Sequence, residues 1–208
     1  MEWAGFTKVR KGLWGLSEMK DVIGLEPNIE IPSYDYYTMT YPCIINYFYE
    51  RNNLVEADVL LGVNIVYGWM PTVPKLHHYS NGDSLNRASK ILNKARKLGE
   101  LDDNEIQFLV HYINNSLSGV SKLLHFIAPE SFAIWDSNIF RFVFEKEPYS
   151  YRLGSLDNFR EYQNTLKEII KDPRVPSFHR SLNGKIGYKV SALRAIEVLM
   201  FFSVKKSR

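Results

Sequence analysis

Leu117-Ser118-Gly119-Val120-Ser121-Lys122-Leu123-Leu124-His125-Phe126-Ile127, followed after a short connection by Ile134-Trp135-Asp136-Ser137-Asn138-Ile139, decides how this chain is read. Upstream, Phe108, Leu109 and Tyr112 recur at helical spacing, and Asn114-Asn115-Ser116 ends that helix. An apolar-Ser-Gly-apolar turn comes next, and a second helix starts at once. The spacing predicts two helices joined by a very short hairpin with Gly119 at its tip. Glycine lets a backbone take special turn conformations and approach another surface closely. The first amides of the following helix lack internal partners and carry the positive end of the helix dipole. A nucleic-acid phosphate satisfies both, through backbone contacts that position a duplex without reading its sequence.

Outward from this segment the pattern is helical throughout. Residues 1–35 are expected to be loops with at most one short helix, given Gly5, Gly12, Gly15, Gly24, Pro27 and Pro32. Tyr34, Tyr36 and Tyr37 form either a stacking surface or a packing edge. A helix is expected from Tyr41 through Ile44, Ile45, Phe48 and Tyr49, broken at Asn52-Asn53. Leu54 to Tyr67 is apolar on most sides and is expected to be a buried central helix, stopped by Gly68, Pro71 and Pro74. Ser80-Asn81-Gly82-Asp83 reads as a turn. Residues 84–98 bury Leu85, Ala88, Ile91, Leu92 and Ala95. Arg87, Lys90, Lys94, Arg96 and Lys97 form either a solvated face or a DNA-facing stripe. Asp102 or Asp103 caps the next helix. Past Asp136, helices are expected over Asn138–Glu145, over 156–170 and from Tyr188 to Val204. Pro148 and Gly154 mark a loop, and Pro173 and Pro176 a stop. About eight helices without strand alternation predict an all-α fold.

The chain of 208 residues is 45% hydrophobic, enough to fill a core and unlike a disordered segment. Its formal charge of +3 permits a nucleic-acid partner without requiring one. Cys43 is the single cysteine, so no disulfide and no multi-cysteine zinc or iron–sulfur site can form within the chain. Its place in Cys43-Ile44-Ile45 predicts a buried thiol. His77-His78 lacks a third ligand nearby, and no metal is expected. No apolar run approaches the ~18 residues of a membrane span. The start Met1-Glu2-Trp3-Ala4-Gly5 does not read as a signal peptide, and a cytoplasmic protein is expected.

The central segment resembles the helix-hairpin-helix DNA glycosylases, the group that includes endonuclease three, the adenine mismatch glycosylases and the 8-oxoguanine glycosylases. These carry a Leu-Pro-Gly-Val-Gly hairpin, then a loop and a Val-Asp or Leu-Asp pair whose aspartate is catalytic. Leu117, Gly119 and Val120 match the hairpin, and Trp135-Asp136 stands where the pair should be. Asp136-Ser137-Asn138-Ile139 is similar to the Asp-Gly-Asn-Val of the adenine mismatch branch. Ser118 replaces the proline and Ser121 the second glycine, and the connection to the aspartate is shorter. The likeness spans Glu105 to Phe144.

The resemblance implies two helical lobes around a DNA-binding cleft, one over 36–135 with the hairpin and the other combining 1–35 with 136–208. It implies a monomer that needs no cofactor, acting on double-stranded DNA with a damaged or modified base. Repair and attack on modified bases in foreign (phage) DNA both fit. The alternative is a hairpin domain that binds DNA without catalysis. Asp136 becomes the candidate catalytic carboxylate, stabilising an oxocarbenium-like sugar and orienting water as the N-glycosidic bond breaks. As an N-cap it would also have a structural use. Leu117, Ser118, Gly119, Val120, Ser121 and Lys122 become DNA contacts. Members that also cut the backbone use a lysine nucleophile, and a gapless count from Gly119 puts Leu123 at that position. Lys122, one residue earlier and so ~100° around the helix, is expected to point elsewhere. Hydrolysis without strand cleavage follows, with Lys122 only a secondary catalytic candidate. Trp69 and Met70 are candidates for the wedge or base pocket, with Tyr67 and Trp135 beside them. His125 is expected to be packed or hydrogen-bonded.

Overall fold

A computed structural model describes residues 21–32, 34–77 and 83–206. A 3-10 helix, Ile23–Asn28, leads into ten α-helices among these residues: α1 (Tyr36–Tyr49), α2 (Glu56–Trp69), α3 (Ser84–Leu98), α4 (Asp103–Tyr112), α5 (Leu117–Ile127), α6 (Ser137–Phe144), α7 (Ser150–Leu153), α8 (Leu156–Ile169), α9 (Val175–Ile186) and α10 (Ala192–Lys206). The described residues hold no strand beyond an isolated antiparallel bridge between Leu76 and Ile113, so the all-α expectation stands. None of these helices is long and apolar enough to cross a membrane.

Local chemistry sets most boundaries. α1 begins at Tyr36 rather than Tyr41 because the Asp35 carboxylate accepts the Thr38 N–H at 3.1 Å. Pro42 then sits inside α1, where it lacks the N–H that would reach the Thr38 carbonyl. The Tyr188 hydroxyl donates to that carbonyl instead, at 2.7 Å. At α4 the Asp102 side chain accepts from Glu105 N–H while Glu105 accepts from Asp102 N–H, a reciprocal cap. α3 ends at Gly99 and α9 at Gly187, both with positive φ.

Several expectations change. α2 buries one face through Val59, Gly62, Val63 and Val66 but exposes Leu60 and Leu61, so it is not buried all round. The Pro148–Gly154 loop contains the short α7. Pro173 and Pro176 do follow α8, yet Pro176 lies in the first turn of α9, where a missing N–H costs nothing. That helix was absent from the sequence reading, and the last helix starts at Ala192 rather than Tyr188. Cys43 is exposed, because on α1 the run Cys43-Ile44-Ile45 turns Ile44 into the core and Ile45 partly against it, while Cys43 falls on the outer face. Residues 1–20, His78 and Ser80-Asn81-Gly82 lie outside the described residues, so the loop and turn expected there do too.

Packing centres on two helices. α1, α2, α3 and α4 pack against α5, while α6, α8, α9 and the 3-10 helix pack against α10. One continuous hydrophobic core runs through both sets. Trp135 is fully buried within it, against Phe140, Phe144, Phe159 and Tyr162. The segment carrying Asp136 leads from this core into α6.

Candidate functional site

α4 and α5 do form a helix–turn–helix, but glycine is not at its tip. Asn114 (φ 61°) and Asn115 (φ 50°) make the turn in the left-handed region, which asparagine tolerates best among residues with a side chain. Asn114 N–H donates to Lys75 C=O at 2.8 Å, and the Asn115 amide meets His77 Nε2 at 3.2 Å. Ser116 caps α5, its Oγ accepting Gly119 N–H at 3.0 Å. Gly119 lies in the first turn of α5 and is needed for packing: a Cβ there would fall 2.3 Å from the Tyr67 hydroxyl. The side chains of Leu117, Val120, Ser121 and Lys122 are buried, and Ser118 is half-buried at a pocket. What the start of α5 offers a phosphate is therefore backbone together with the half-buried Ser118. Among the described residues the N–H groups of Leu117 and Ser118 have no hydrogen-bond acceptor.

Lys122 corrects the sequence reading most directly. Its Nζ lies 3.2 Å from Asp136 Oδ2, with both side chains largely buried. Leu123 instead enters the core beside α2, 1% exposed. The ~100° step between neighbours is real, but it turns Leu123, not Lys122, away from the aspartate. Asp136 is the N-cap of α6, Oδ1 accepting from Asn138 N–H at 3.0 Å and Ile139 N–H at 3.1 Å. Burial alone would raise its carboxyl pKa; the Lys122 charge and the two backbone donors outweigh that and hold it below the usual range. Asp136 thus serves as a cap and also holds a charge against Lys122.

The segment before Asp136 is tied from two sides. From α5, Ser121 Oγ accepts Trp135 N–H at 3.0 Å and lies 2.9 Å from Ser118 C=O, which it can donate to. His125 Nδ1 lies 2.7 Å from the Phe132 carbonyl, so that nitrogen carries the proton and Nε2 accepts from the Tyr41 hydroxyl at 2.8 Å. Burial, aided by the Arg194 charge and opposed by the Phe132 hydrogen bond, depresses the His125 pKa to about 3. It is a hydrogen-bonded core histidine, as expected. From α10, the buried Glu197 carboxylate accepts Ile134 N–H and pairs with Arg194 at 3.4 Å. Its burial raises its pKa to about 8 against the Arg194 charge and the Ile134 hydrogen bond.

Lys122 and Asp136 open onto a cavity of about 330 Å³. Tyr37, Trp69, Phe201 and Phe202 give it aromatic walls, and Met70, Ser118, Ile134 and Arg194 complete much of the lining. Trp69 is fixed by its Nε1–H to Thr40 Oγ1 at 3.0 Å and by edge contacts with Tyr37 and Phe126. Of the four base-pocket candidates, Trp69 and Met70 line this cavity. Tyr67 and Trp135 are fully buried and do not: Tyr67 packs on Gly119, and Trp135 donates Nε1–H to Leu153 C=O at 2.9 Å.

Three features escaped the sequence reading. Tyr37 turns inward to the cavity while Tyr34 and Tyr36 stay exposed. Arg194 and Glu197 were missed although they carried a signal, two charges three residues apart inside an apolar helix. The basic face of α3 is largely engaged in the fold: Lys94 pairs with Glu105, Arg96 donates to the Phe48 and Arg51 carbonyls, and Arg87 lies over the Phe108 ring. No group of metal-binding side chains is present among the described residues. Comparison with protein-family models, curated proteins and solved structures finds no match for this chain.

Proposed function

We propose that this chain is a DNA glycosylase of the helix-hairpin-helix kind, and that Lys122 is its nucleophile. The observation that carries the reading is the Lys122 Nζ–Asp136 Oδ2 contact of 3.2 Å beside an aromatic-walled cavity large enough for a flipped base. The N–H groups of Leu117 and Ser118 at the start of α5, without an acceptor among the described residues, support a phosphate contact beside that cavity. In this reading residues 36–135 form one lobe and the rest of the chain the other, with duplex DNA carrying a damaged or modified base between them.

The chemistry follows from the pair. Lys122 passes a proton to Asp136, and its amine attacks C1′ of the target nucleotide. The C1′–base bond breaks, and the base leaves with the electron pair and takes up the proton that Asp136 received, which restores the carboxylate. The developing positive charge on the sugar is stabilised by the carboxylate, which the α6 amides hold in place. The new C1′ ammonium loses a proton to Asp136, its freed lone pair opens the sugar ring, O4′ takes that proton, and Lys122 is left as a Schiff base that water hydrolyses. This replaces the purely hydrolytic route expected from the gapless count.

Borohydride trapping on a duplex with an abasic site tests the reading. A covalent adduct that disappears in Lys122→Ala is expected. Base release without an adduct would return the reaction to water attack oriented by Asp136. Neither release nor adduct would leave a DNA-binding module.

A further inference from the structure

The cavity holds a second charged group whose hydrogen bonds are mostly unused. Arg194 reaches it from α10, its side chain 12% exposed. Its guanidinium lies 4.9 Å from the Tyr41 ring centroid and 5.9 Å from that of Trp69, which fixes its plane. Its one hydrogen bond among the described residues runs from Nη1 to Glu197 Oε2 at 3.4 Å. A guanidinium carries five N–H donors and no acceptor. The donors that Glu197 leaves unused on the cavity side are available to a ligand that accepts. The aromatic walls ask that ligand to be planar.

We propose that Arg194 reads the exocyclic 6- or 4-position of the extruded base and selects bases with a carbonyl oxygen there, 6-oxo purines and 4-oxo pyrimidines. A 6-amino purine or 4-amino pyrimidine sets N–H against N–H at the same place. Glu197, itself tied to Ile134, holds the guanidinium from behind, so base reading and the placement of Asp136 share one anchor. This selectivity rests on the glycosylase reading above.

Matched duplexes that exchange the oxo for the amino group at that position test it: 8-oxohypoxanthine against 8-oxoadenine, 5-hydroxyuracil against 5-hydroxycytosine, and hypoxanthine against adenine. The wild-type protein is expected to release the oxo member at least ~10-fold faster in whichever pairs it processes, the scale of losing one hydrogen bond from a charged donor. Arg194→Gln, whose amide both donates and accepts, is expected to bring the ratio close to one. Arg194→Lys keeps a charge opposite Glu197, guards against misfolding, and is expected to lower the ratio through loss of the fork. A purely structural role for Arg194 would slow both members alike and leave the ratio unchanged, which overturns the proposal. So does preference for the amino member, or release of no oxo base by a protein that traps abasic DNA. Failure of the wild type to trap abasic DNA or release any base would instead remove the glycosylase reading on which the selectivity stands.

Discussion

Gly119 and Tyr67 are packed so closely that a Cβ on Gly119 would lie 2.3 Å from the Tyr67 hydroxyl and 2.7 Å from the ring carbon bearing it. The glycine that resembles a hairpin tip is thus the place where α5 crosses α2. Gly119→Ala is expected to cost about 1–3 kcal/mol, as overpacking of a well-filled core does. In a Tyr67→Phe background the cost should shrink, since the nearest atom is gone. Denaturant melts of the four proteins in the cycle measure this, and strictly additive costs would refute the contact.

Asp136→Asn keeps an oxygen that can accept from Asn138 and Ile139, so α6 should retain its cap, while the Lys122 charge left without its partner lowers stability. Loss of the negative charge beside Lys122 is expected to lower base release at least ~100-fold, the scale seen when one transition-state stabiliser is removed. DNA affinity should stay within a few-fold. Wild-type activity in this variant would remove Asp136 from the chemistry.

The turn tip gives a DNA-binding test that leaves the core alone. Asn115 is exposed with φ 50°, a conformation aspartate also tolerates. Asn115→Asp puts a negative charge next to the free amides of α5 and is expected to weaken binding several-fold on all duplexes alike. Affinity of both proteins should fall with salt. Equal affinities in a salt titration would take the hairpin out of the interface.

Pro42 and Tyr188 make a second coupled pair. Tyr188→Phe strips the Thr38 carbonyl of its donor and is expected to cost about 0.5–1.5 kcal/mol. Pro42→Ala supplies a backbone N–H for the same carbonyl, so in that background Tyr188→Phe should cost less. Thermal melts of the single and double variants decide it.

Stability should depend on pH through two buried groups with opposite signs. His125 titrates near 3 in the folded chain and near its ordinary 6.5 when unfolded, so its contribution is complete above about 6.5 and declines as pH falls from there toward 3. Glu197 titrates near 8 when folded and near 4.5 when unfolded, so stability from its protonated form is complete below about 4.5 and declines as pH rises toward 8. Glu197→Gln, still able to accept from Ile134, should therefore lose the decline between pH 6.5 and 8. An unchanged slope there would show that Glu197 is ionised in the folded state.

Much of this arrangement was open to inspection in the sequence. The 3.6-residue periodicity of α3, α4 and α8 marked which faces are buried, and Asp102 and Asp136 announced helix starts by the capping chemistry of their own side chains. That the hairpin and Asp136 belong together came from the resemblance to the hairpin glycosylases. Periodicity and capping act over a few residues, so no partner elsewhere in the chain is needed to read them. They misled at α9, where Pro176 marks a beginning as well as an end, and at Cys43, where an apolar run wraps around a helix instead of lying on one face.

Whether Lys122 or Leu123 faces Asp136 was decided by tertiary structure alone. That choice depends on how α5 is rotated against α2, set by Tyr67 meeting Gly119, and on how Ser121, His125 and Glu197 draw the 132–136 segment back across the helix. The cavity brings Tyr37, Trp69, Lys122, Asp136, Arg194 and Phe201 together from four helices and a cap. Periodicity identifies the inner face of each helix, but rotation by a single residue changes which side chain meets its neighbour, and only close packing of the whole core selects one rotation.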